Sequence, residues 1–132
     1  VMGTRGVMNF ALRVDLREGS HHSGNWGGAL ANPAVILSNA LASIISRHGH
    51  VQVVGIHPPF IPDSVRAALQ NVQLEAGEDG PKIDEYWGAP GLSPTERVLA
   101  WNTFEVLAMT SGNADHPVNA VPPSAIAHCQ IR

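Results

Sequence analysis

A chain of 132 residues with a net charge of −3, 44% hydrophobic and 14% charged, is long enough to bury about two thirds of its unfolded surface as a single domain, residues 1–132. One lysine, Lys82, and no basic stripe exclude a nucleic-acid partner; one cysteine, Cys129, excludes an internal disulfide framework. No apolar run approaches the roughly 20 residues of a bilayer span, so no membrane partner is expected and the chain reads as a soluble, cytoplasmic domain.

Phe10, Leu12, Val14 and Leu16 alternate with Asn9, Arg13, Asp15 and Arg17, which predicts a half-buried strand with one wet face. A glycine-rich loop, 20–31, follows and carries His21 and His22. Asn32 is a good N-cap, and Pro33 suits the first helical position. The spacing of Leu37, Ala40, Leu41, Ile44 and Ile45 predicts a helix over 33–47 that stops at Gly49. Ala34, Ser38 and Ala42 give it a second face of small residues, open to a close neighbour. Val51, Val53 and Val54 suggest a short strand.

From 56 to 100 the pattern dissolves into an inserted, proline-punctuated excursion of the kind that is usually functional. Within it 63–70 reads as a short helix with Val65, Ala68 and Leu69 inward. Ser93-Pro94-Thr95-Glu96 is a capping box opening a brief helix to about Ala100. Strands are expected over 103–110 and 125–131, the latter with Ala125, Ala127, Cys129 and Ile131 on one face. The chain stops inside that strand, so it reads as a piece of a larger protein. The order predicts an α+β fold: a ferredoxin-like two-layer sandwich, antiparallel sheet with helices on one face, truncated at its C-terminus.

The chemistry is concentrated in the loop. Seven histidines are available, but none sits in an H-x-D, H-E-x-x-H or C-x-x-C pattern, so no metal site and no cofactor of the chain's own is expected. Ser23 beside His22, and Cys129 beside His128, are neighbours whose side chains diverge, which argues against a nucleophilic dyad. Gly24, Gly27 and Gly28 match no phosphate-binding pattern. Two readings of the loop remain open. Its N–H groups and a histidine can stabilise a developing oxyanion, or its glycines serve only a tight turn.

His22-Ser23-Gly24, then Gly27-Gly28, then Asn32-Pro33 ahead of an apolar helix resembles the opening of the dimerisation domain of the zinc exopeptidase and deacylase family. That family includes carboxypeptidase G, aminoacylase, acetylornithine deacetylase, succinyl-diaminopimelate desuccinylase and carnosine-type dipeptidases. The stretch Asn119-Ala120-Val121-Pro122-Pro123-Ser124-Ala125 is similar to a second family segment, and the long excursion resembles the dipeptidase branch. The resemblance implies a catalytic domain elsewhere in the parent chain, holding two zinc ions. It implies that His22 reaches into the partner subunit's active site and polarises the scissile carbonyl. Asn119, Gly24, Gly27 and Gly28 would be substrate-binding residues, the three glycines also forming the turn that lets His22 project. A homodimer through the 33–47 helix and a 103–110 edge strand is implied as well, as is a small peptide or acylated amino acid substrate.

The function expected is therefore a dimerisation and lid domain of a binuclear zinc peptidase or amidohydrolase, not catalytic by itself. The alternatives are a free-standing ferredoxin-like module that binds a small regulatory ligand, and a purely structural interaction domain.

Overall fold

The computed structural model describes residues 4–74 and 77–132. The alternating segment forms β1 (Met8–Asp15), whose burial alternates as its sequence does: Phe10, Leu12 and Val14 are half-buried and their neighbours exposed. Then come β2 (His21–His22), α1 (Ser23–Trp26), α2 (Pro33–Ile44), α3 (Asp63–Leu69), α4 (Pro94–Leu99), β3 (Phe104–Ser111), β4 (Ala120–Val121) and β5 (Ser124–Ile131). One sheet has the order β1-β5-β3, and a second pairs β2 with β4. The Leu16 amide donates to the Pro123 carbonyl at 3.0 Å and the Gln130 side chain to Asn9 at 2.9 Å. The end of β1 thus lies beside the start of β5, an antiparallel pairing. Ser111 Oγ donates to the Ser124 carbonyl, so β3 runs against β5 in the same sense. The fold is a mixed α/β one with an antiparallel sheet, as the sequence pattern predicted. Placing β5 between two strands that α2 links in sequence makes a split β-α-β unit.

The chain divides into two compact units. The first comprises Met8–Ser43 and Glu105–Gln130. Its core is built from Pro33, Leu37 and Leu41 of α2, Val121, and Ala125, Ala127 and Cys129 of β5. The α2 residues recur every four positions, which puts them on one helical face. Asn32 caps the helix, its Oδ1 accepting from the Ala34 amide at 3.0 Å. Two details differ from the sequence expectation. Ala40 is exposed, and α2 ends at Ile44 rather than at residue 47. The helix stops early because Ile45 bridges to Val51 and the Ile44 carbonyl accepts from Gln52. Gly49, with φ +77°, belongs to the turn this creates, where a Cβ would run into the Trp87 ring.

The second unit is Ile44–Phe104 with short pieces, 4–7 and 131–132. Val51 pairs only through that single bridge and Val54 is 96% exposed, so the expected 51–54 strand does not form. Here polar groups set the path. Ser93 accepts from the Glu96 amide and Glu96 from the Ser93 amide, completing the capping box of α4. Buried Thr95 donates to the Val72 carbonyl at 2.9 Å. Arg97 donates to the carbonyls of Leu92, Trp87 and Glu85, clasping the 85–92 loop. Val65, Ala68 and Leu69 of α3 line a cleft of about 680 Å³ with Leu99 and Trp101. Val65 and Ala68 remain exposed there rather than buried as expected. Rings of His50, His57 and Trp101 stack in sequence, with centroids 6.3 and 4.8 Å apart.

Candidate functional site

The histidine loop is folded by hydrogen bonds between residues far apart in sequence. β2 pairs antiparallel with β4, His21 opposite Val121 and His22 opposite Ala120. The Ser23 amide donates to the Asn119 carbonyl at 2.8 Å, extending that ladder by one bond. Arg17 braces the corner by donating to the carbonyls of Ala31, at 2.9 Å, and Pro122, at 3.3 Å. The loop's two flanking segments are thereby tied to one guanidinium, a role that alternation along β1 did not reveal.

His22 ends β2 and caps α1, with φ −53° and ψ 122°. Its Nδ1 accepts from the Gly24 amide at 3.0 Å and its side chain is exposed. The single turn of α1 closes when the Gly27 amide donates to the Ser23 carbonyl at 2.7 Å. Each glycine has its own reason. A Cβ on Gly24 would lie 2.7 Å from the His22 ring, one on Gly27 would lie 2.6 Å from the Ser23 carbonyl oxygen, and Gly28 has φ +88°. His21 meets Trp26 edge to face at 6.3 Å, and Trp26 remains 48% exposed. The structure therefore gathers His22, Gly24 and the Asn119 backbone at one corner, with the Asn119 residue exposed beside it. Gly27 and Gly28 shape the turn behind His22. The anion site suggested by free N–H groups at the start of α2 is reduced, since Asn32 already takes the Ala34 amide.

Among the described residues no group of three or more His, Cys, Asp or Glu is arranged to hold a metal ion. His50 and His57 face each other as stacked rings, and His57 Nδ1 lies 2.8 Å from the Pro58 carbonyl. The donor set among the described residues does not fit a zinc centre. No helix among the described residues is long and apolar enough to cross a membrane.

No protein-family model matches the chain. In sequence it is 28% identical, over 97% of its length, to the cysteinylglycine-S-conjugate dipeptidase of Corynebacterium striatum, of which it spans 28%. Over 58% of its length it is 33% identical to the Beta-Ala-His dipeptidase of Rattus norvegicus, of which the match covers 16%. Its homologues are dipeptidases. In structure the whole chain superposes on 36% of an M20 family metallo-carboxypeptidase from Sulfolobus solfataricus, with a TM-score of 0.76 at 20% identity. The family resemblance read from the His22 and Asn119 segments is thus met by dipeptidase sequences and by an M20 fold. The chain spans less than a third of the length of the curated relatives it matches.

Proposed function

We propose that this chain is the dimerisation and lid domain, ferredoxin-like in plan, of a binuclear zinc-dependent peptidase or N-acyl-amino-acid amidohydrolase. In this reading it lends His22 to the active site of a partner subunit. The observation that carries the reading is the exposed His22 imidazole at a corner pinned by the β2–β4 ladder and Arg17. A side chain of that chemistry buried in the core could reach no other molecule. On a braced surface loop it can donate a hydrogen bond to a carbonyl oxygen as charge develops there, a contribution of about 10²–10³ in turnover for one such donor.

The two zinc ions belong, on this reading, to the catalytic domain of the longer protein, where they would activate water. Asn119 would contact the substrate beside His22. The substrate class is a small peptide or acylated amino acid, in keeping with the dipeptidase relatives. The twofold contact would use the outer face of α2, where Val35 and Ile36 are exposed, and the edge strand β3, where Val106, Leu107 and Met109 are exposed.

Mixed dimers of the full-length protein test the trans arrangement. One subunit carries His22→Ala with an intact catalytic domain, and the other carries wild-type His22 with a disabled catalytic domain. The pairing should recover about half of wild-type turnover, whereas the His22→Ala homodimer should fall about 10²–10³-fold and the homodimer with disabled catalytic domains should be inactive. A mixed dimer as inactive as its parents would exclude action across the subunit boundary.

A further inference from the structure

Neutral imidazole carries its proton on one ring nitrogen and accepts through the other. His22 Nδ1 accepts from the Gly24 amide, a donor that cannot reverse its role. The proton of the neutral ring must therefore sit on Nε2. The same glycine also determines where the ring lies. A Cβ at position 24 would stand 2.7 Å from His22 Cε1 and 3.0 Å from Nδ1. Any L side chain there would push the ring off the amide that orients it. Neither neighbouring glycine has this effect, since the clash at Gly27 is with the Ser23 backbone and Gly28 has open space around its Cβ position.

We infer that Gly24 is the positioning residue for His22: its amide selects the Nε2–H tautomer, and its lack of a side chain lets the ring reach that amide. The inference rests on the trans-histidine reading for its catalytic consequence, though not for the tautomer itself. An oxyanion accepts from an N–H and is repelled by an imine lone pair, so a ring with the opposite tautomer would present an acceptor to the developing charge. The glycine of His22-Ser23-Gly24 is in this view as much a part of the donor as the imidazole.

The tautomer can be measured without any turnover. In the full-length protein labelled with [¹⁵N]histidine, the His22 resonances are those lost in His22→Gln. Wild-type His22 should show a protonated Nε2 and an unprotonated, hydrogen-bonded Nδ1. Gly24→Ala should bring the two ring nitrogens toward averaged shifts. It should also lower kcat about 10- to 100-fold at nearly unchanged KM, no more than the roughly 10²–10³-fold cost of losing such a donor outright. A protonated Nδ1 in the wild-type protein would overturn the inference even if His22→Ala abolished turnover. Unchanged ring shifts in Gly24→Ala would overturn it too. If the tautomer and its loss are as stated but neither Gly24→Ala nor His22→Ala alters kcat, the trans-histidine reading fails and the positioning role of Gly24 stands. Because the wild-type measurement needs no variant, poor folding of Gly24→Ala would leave that test intact.

Discussion

The two units of this chain are held together by different physics. In Met8–Ser43 with Glu105–Gln130, order comes from periodic burial: every fourth residue of α2 and every second residue of β5 is removed from water. In Ile44–Phe104, Val51, Ile61, Ala89 and Phe104 are buried at no regular spacing, and order comes as well from particular polar bonds, among them the Ser93–Glu96 box, Thr95 on the Val72 carbonyl and Arg97 on three carbonyls. Periodic burial tolerates a change at any one position if volume is kept. A clasp made by one guanidinium has no substitute. The first unit is thus a scaffold in which many residues share one task, and the second depends on a few, each with a separate task.

The largest expected effect tests the scaffold. Leu37 is 1% exposed, and Leu37→Ala should cost about 2–5 kcal/mol in urea denaturation, against under about 1.5 kcal/mol for Leu37→Met. Equal costs would mean that this core is not packed around the α2 stripe. Arg97→Ala should come next, at about 1.5–3 kcal/mol for charge-assisted bonds to carbonyls. Its signature is local: amide exchange in 85–92 should speed up while β5 stays protected. Arg97→Lys should not restore it, because one ammonium cannot reproduce the guanidinium fork. If Arg97→Ala left amide exchange in 85–92 unchanged, the clasp would be incidental. Ser93→Ala should cost about 1 kcal/mol through loss of the α4 cap.

The smallest effect concerns Cys129, 1% exposed in β5, whose thiol burial pushes above its ordinary value. The folded state then holds the thiol proton more tightly than the unfolded state does. Its contribution to stability is complete below the ordinary thiol pKa and declines as pH rises from there toward the raised value. Cys129→Ala should flatten that alkaline decline. In the native protein the thiol should react with iodoacetamide only as fast as the chain opens, and rapid labelling at neutral pH would contradict its burial.

The same contrast explains what could be read in the sequence. β1 and β5 were legible because alternation of Phe10, Leu12 and Val14, or of Ala125, Ala127 and Cys129, reports a two-residue repeat directly. The start of α2 was legible because Asn32-Pro33 is a local signal, and the α4 box for the same reason. The end of α2 was not, because a bridge from Ile45 to Val51 competes with continuation of the helix and no residue before Gly49 announces it. Val51, Val53 and Val54 have strand propensity but only a single bridged residue, so propensity without a partner misled. At the candidate site, His22 and its glycines were legible as types. The two-residue β2–β4 ladder was not, since two residues carry no period, and Arg17 bonds to carbonyls that no pattern links to it.

That short ladder has a bearing on how such a chain can diverge. It joins positions 21–22 to 120–121 by backbone bonds alone, which any side chains can make. Residues 44–104 lie between those two segments in sequence, while the pairs themselves are His21 with Val121 and His22 with Ala120. Insertions, deletions and wholesale rewriting of that interval can accumulate while the imidazole keeps its address. Descendants could trade one excursion for another and inherit the corner unchanged.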